Sequence, residues 1–84
     1  MKEKIFNFVK ELQKQFKFNA RYAEHKGYEN TLHIVEVANL NPEYANDFAK
    51  IVFPFEIDCH TSEGVVIFVD SKDNLYDELI YEEI

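Results

Sequence analysis

Apolar residues recur along the start of the chain at helical spacing. In KEKIFNFVKELQKQF, Ile5, Val9, Leu12 and Phe16 fall on one face, and Phe6 and Phe8 widen it. Lys4, Lys10, Glu11, Lys14 and Lys17 lie largely outside that stripe. The run predicts an amphipathic helix over 2–16. KFNARYAEHKGYENTLHIVEVA predicts a hairpin. Its β-branched residues mark TLHIVEV as a strand, NARYAE is the partner, and HKGYEN supplies Gly27 and Asn30 for the turn. The two alanines of NARYAE leave a competing reading, in which the first helix extends to Ala23.

NLNPEYANDFAKIVF predicts a second helix. Asn41 can accept from first-turn amides, Pro42 suits the first helical position, and Glu43 and Asp47 sit near the positive end of the dipole. Tyr44, Phe48, Ile51 and Val52 form its apolar face, and Pro54 is expected to end it. FEIDCH and VVIFVD then read as strands around the turn TSEG. Phe55, Ile57 and Cys59 alternate with Glu56, Asp58 and His60, as in a half-buried strand. Val65 to Val69 is apolar on both faces, which suits a central or doubly covered strand. SKDNLYDELIYEEI predicts a last helix. Ser71 or Asp73 would cap it, and Leu75, Leu79 and Ile80 would face inward beside Tyr76. Glu82 and Glu83 crowd the negative end of its dipole, so that end should fray unless a cation sits nearby.

These elements give the order α-β-β-α-β-β-α over one domain spanning residues 1–84. The expected class is α+β: a four-stranded, mainly antiparallel sheet with helices packed on one face. A chain of 84 residues has a thin stability margin, which eight Phe and five Tyr offset with large buried areas. The single cysteine excludes an internal disulfide and makes the cytoplasm the expected location. The N-terminal run has no unbroken apolar core, so it does not read as a secretory signal. No stretch approaches a membrane span.

Charge is uneven. Residues 1–26 carry +4 and residues 27–84 carry −11, for a net −7. Asp73, Asp77, Glu78, Glu82 and Glu83 cluster near the end, with Tyr76 and Tyr81 among them. Acids speed encounter with a basic partner and aromatics anchor contacts. These seven residues are the candidate partner-binding set. The first-ranked expectation is a small acidic cytoplasmic interaction module of the inhibitor, immunity or regulatory type, with a basic protein as partner. The generous aromatic inventory also fits a homodimer.

DCHTSEG gathers a thiol, an imidazole, a hydroxyl and carboxylates within a few positions. On a strand, Cys59 and His60 would point to opposite faces, which separates a would-be nucleophile from its base. Cys59 therefore reads as a small core residue. Glu56, Asp58 and His60 would share the other face, and His33 or His25 would have to complete any metal shell. They are the metal candidates and the centre of the second-ranked reading, a ligand-binding or enzymatic domain. No HxH, HxxxH, CxxC, GxSxG or glycine-rich phosphate loop occurs, and SKDNLYDE lacks the glycine of a calcium loop. No metal site, cofactor or catalytic residue is assigned. The third-ranked reading is single-stranded nucleic-acid binding through the basic N-terminal third, where Phe16, Phe18, Tyr22 and Tyr28 would stack on bases. Overall acidity opposes it.

Overall fold

The computed structural model describes residues 1–27, 29–62 and 64–84. Tyr28, named above for stacking, and Glu63 of the TSEG turn lie outside the described residues. Helix α1 spans Lys2–Gln15 and buries Ile5, Val9 and Leu12, the predicted stripe. No glycine or proline ends it. At Phe16 the backbone becomes extended, with φ −127° and ψ 132°. From there burial recurs at every second residue: Phe16, Phe18, Ala20 and Tyr22 are buried, while Lys17, Asn19 and Arg21 are not. That is strand periodicity, so the strand reading holds and the helical extension to Ala23 fails.

Strand β1 (Asn19–Lys26) pairs antiparallel with β2 (Thr31–Ala38), setting Ala20 opposite Val37 and Tyr22 opposite Val35. A 3-10 turn at Pro42–Tyr44 follows, where Asn41 Oδ1 accepts from the Glu43 N–H at 3.0 Å. Helix α2 then runs over Ala45–Cys59 with Pro54 inside it. Two expectations are corrected here: Pro54 does not end the helix, and FEIDCH is its last turns rather than a strand. The stripe Phe48, Val52, Phe55, Cys59 explains both. It holds helical spacing straight through the proline. Phe55 stacks on Phe8 of α1, ring centroids 3.7 Å apart and planes at 4°. Ile57, which strand alternation had grouped with Phe55 and Cys59, is 73% exposed. Cys59 is buried as expected, but from a helix.

Strand β3 (Gly64–Asp70) pairs with β2 in parallel, Val35 opposite Phe68. The expected second hairpin is therefore a βαβ unit, because parallel neighbours need a crossover and α2 supplies it. Residues 71–84 depart from the expected helix as well. A 3-10 turn at Ser71–Asp73 leads into an irregular strap and then β4 (Glu82–Glu83), antiparallel to β1. Asp70 accepts from the Lys72 N–H at 2.8 Å, and Asn74 Oδ1 from the Tyr76 N–H at 2.7 Å. Such local bonds offer the backbone an alternative to helix. The order is thus α-β-β-α-β-β, and the sheet, β3-β2-β1-β4, is mixed rather than mainly antiparallel.

Both helices pack on one sheet face, as expected. Phe6 of α1 meets Tyr22 edge-on, and Phe48 of α2 meets Phe18 and Phe68. Tyr22, Val35 and Phe68 occupy one row across three strands of that face. One side chain and one backbone amide guard the outer edge of β3. Glu56 accepts from the Phe68 N–H at 3.0 Å, and the Thr61 N–H donates to the Gly64 carbonyl at 2.9 Å. Occupied edge groups resist pairing with another chain. Burial pushes the Glu56 carboxyl above its ordinary range, against the Phe68 bond.

Pro54 is exposed and takes one N–H out of α2. Pro54→Ala should raise stability by about 2 kcal/mol, since a helical proline costs roughly 3 and its stiffening of the unfolded chain returns roughly 1. Urea unfolding measures this, and unchanged or lowered stability would mean α2 needs the bend.

Candidate functional site

The face opposite the helices carries Arg21, Ala23, Ile34 and Glu36, with Arg21 opposite Glu36 and Ala23 opposite Ile34. Ile34 and Ala23 are buried there, on the face that the strap linking β3 to β4 reaches through Asn74. The strap is held through Glu36. Arg21 Nε donates to Glu36 Oε1 at 2.5 Å and Nη2 donates to Oε2 at 3.0 Å. Asn74 Nδ2 donates to Glu36 Oε2 and, at 2.8 Å, to the Tyr81 hydroxyl. The Tyr81 O–H donates to the Tyr76 carbonyl at 3.0 Å. The Tyr81 ring lies over the Arg21 guanidinium, 4.2 Å from its centroid, a cation–π contact. The Arg21 bonds hold the Glu36 carboxyl below its ordinary range, burial works against this, and Asn74 adds to it.

The seven predicted partner-binding residues divide in two. Tyr76 and Tyr81 are half-buried and tie the strap down. Asp73, Asp77, Glu78, Glu82 and Glu83 are exposed. Glu82 alone of these five makes an ion pair among the described residues, accepting from Lys2 Nζ at 2.8 Å. Without the last helix, the acids do not share a helical face. Between them along the chain stand two side chains that sequence reasoning had turned inward: Leu75 is 91% exposed and Ile80 95%. The available signal was Asn74, whose side chain competes for the backbone at the start of the supposed helix.

The metal candidates separate. On a helix, Glu56 and Asp58 point to opposite sides. Glu56 turns to β3, while Asp58 and His60 are exposed. No group of three His, Cys, Asp or Glu among the described residues is placed to hold a metal ion. Phe16, Phe18 and Tyr22, read as base-stacking groups, are buried in the core and cannot stack on a nucleic acid.

A second polar cluster lies under α1, and sequence reasoning missed it. The Tyr22 oxygen is 2.6 Å from His33 Nδ1 and 2.9 Å from Glu24 Oε1. A carboxylate only accepts, so the Tyr22 O–H donates to Glu24 and its oxygen accepts from His33 Nδ1–H. Nε2 is then the unprotonated nitrogen. It faces Gly64, where a Cβ would come within 3.3 Å of it. Burial lowers the affinity of His33 for a second proton, with Glu24 opposing and the N-terminal ammonium adding to the effect. Burial also raises the Tyr22 hydroxyl, reinforced by Glu24. The trio is neutral at its buried end and locks β1 to β2.

Glu36→Ala should cost about 2 kcal/mol, because it leaves the buried Asn74 amide short of an acceptor and takes the carboxylate from the part-exposed Arg21. It should also open the strap to proteolysis between residues 74 and 81, read by mass spectrometry of the fragments. His33 gives a pH signature. Its folded-state pKa lies below the unfolded 6.5, so the unfolded chain takes the proton first. Stability should be flat above that value and fall as pH drops from about 6.5 toward the folded pKa. Urea midpoints across mild acid should show the fall, and His33→Gln should flatten it.

Neither known protein families, curated proteins nor solved structures give a match to this chain, so its functional reading rests on this geometry.

Proposed function

We propose that this chain is a small acidic interaction module of the inhibitor, immunity or regulatory type, which binds a basic protein surface through the strap. One observation carries the reading. Leu75 and Ile80 stand almost wholly in solvent on a segment that Asn74 and Tyr81 hold in place. A lone exposed aliphatic residue is ordinary. Two of them on a pinned segment, with Asp73, Asp77 and Glu78 beside them, resemble the apolar centre and polar rim of an interface. Pinning lowers the entropy lost on binding. The acids supply steering toward a positively charged partner and discrimination against a negative one. The single buried cysteine suits a reducing cytoplasm.

No helix among the described residues is long and apolar enough to cross a membrane, which suits a partner met in water. For a homodimer, the occupied groups on the outer edge of β3 disfavour extension of the sheet at that edge.

The test is affinity capture from native lysate at low and high salt, with native mass spectrometry of the complex. Wild type is compared with Leu75→Ser/Ile80→Ser and with Asp73→Asn/Asp77→Asn/Glu78→Gln. The substituted side chains are exposed, so each change should alter stability by less than ~0.5 kcal/mol. A stoichiometric basic protein should be retained by wild type, lost by the Leu75/Ile80 variant, and weakened by salt and by the charge variant. Equal retention by all three proteins would overturn the reading.

A further inference from the structure

We infer that the crevice at the carboxyl ends of β2 and β3 is a binding site for a small, flat, largely apolar molecule carrying a single negative charge. Topology creates it. The chain leaves β2 toward the helix face, into α2, and leaves β3 toward the opposite face, into the strap. Where adjacent parallel strands send their continuations to opposite sides of a sheet, the exits splay and leave a crevice, the usual ligand position in open α/β sheets. Here it measures about 470 Å³, within the range of small-molecule sites.

Its chemistry narrows the ligand. Val37, Leu40, Phe48 and Phe68 form apolar and aromatic walls, suited to a planar hydrocarbon body. Asn39, Ser71 and Lys72 bring polar groups to the rim. Asn39 has φ 64°, a left-handed conformation that asparagine tolerates better than most residues. Lys72 is the one base in the lining, is exposed, and makes no ion pair among the described residues. Asp70, also in the lining, accepts from the Lys72 backbone N–H through one oxygen at 2.8 Å and keeps its charge, which adds to the repulsion of a second anionic group. One cation at the rim of a chain with net charge −7 accepts one negative charge and repels several. The lining shares no residue with the proposed partner surface, although Lys72 adjoins Asp73 in one 3-10 turn.

The probe is 2-naphthoate, a planar monoanion, with neutral 2-naphthol and the dianion 2,6-naphthalenedicarboxylate beside it. Amide shifts of the isotope-labelled protein are followed during titration. Saturable shifts should appear for residues 37–45 and 68–72, with 2-naphthoate bound more tightly than the dianion. Lys72→Gln should weaken 2-naphthoate about three- to five-fold, the worth of an exposed ion pair, and leave 2-naphthol unchanged. Ala45 lines the crevice and is exposed, so Ala45→Trp should fill it, abolish binding of both, and keep the remaining shifts in place. Shifts elsewhere, no saturation, a preference for the dianion, or naphthoate binding indifferent to Lys72→Gln would each overturn the proposal, the last even if Ala45→Trp fails to fold.

Discussion

A carboxylate buried on the central strand organises half of this molecule. Glu36 sits on β2, inside the sheet, on the face the helices leave uncovered. Ionised, it demands partners, and Arg21 and Asn74 supply them. Arg21 comes from the neighbouring strand, so its pairing only reinforces the hairpin. Asn74 comes from 38 residues away and fixes where the chain crosses after β3. Tyr81 then stacks on the same arginine and bonds the same asparagine, bringing β4 to the edge of β1. One desolvated charge thus sets the path of the strap and the place of the fourth strand. It also holds Leu75 and Ile80 outward, which makes the strap a surface and not a frayed tail.

The other half depends on the α2 crossover. Its apolar stripe runs through Pro54 because Phe55 and Cys59 find the core at helical spacing, and burial of that size outweighs a lost hydrogen bond at an exposed position. The crossover makes β3 parallel to β2, and two consequences follow. The carboxyl ends of the strands diverge around a crevice. The outer edge of β3 falls beside α2, where Glu56 reaches its Phe68 N–H. The residues first grouped for metal chemistry turn out to include an edge guard.

Much of the molecule was legible in the order of its side chains. The stripe of α1, the hairpin of β1 and β2 and the Asn41-capped 3-10 turn that leads into α2 all follow from local periodicity and local capping, although α2 itself begins three residues later than expected, at Ala45. Burial of Cys59 was expected as well, though for the wrong element. Two segments were misread, for different reasons. FEIDCH satisfies alternation and helical spacing almost equally over so short a run, and Pro54 tipped the reading toward a break. SKDNLYDELIYEEI has an acceptable helical pattern, but Asp70 and Asn74 bond their own backbone and Asn74 is drawn into Glu36.

The sequence by itself determined the class of the fold, the start of α1, the capped turn before α2, the central hairpin, the apolar core and the acidity of the C-terminal third. Each is an interaction between near neighbours or a sum over composition. The tertiary structure alone decided the direction of β3, the fate of the last fourteen residues, the exposure of Leu75 and Ile80, and the meeting of Asn74 with Glu36. Those outcomes balance a proline or a lost helix against burial and a desolvated charge supplied by distant parts of the chain, and no local window contains both sides of that balance.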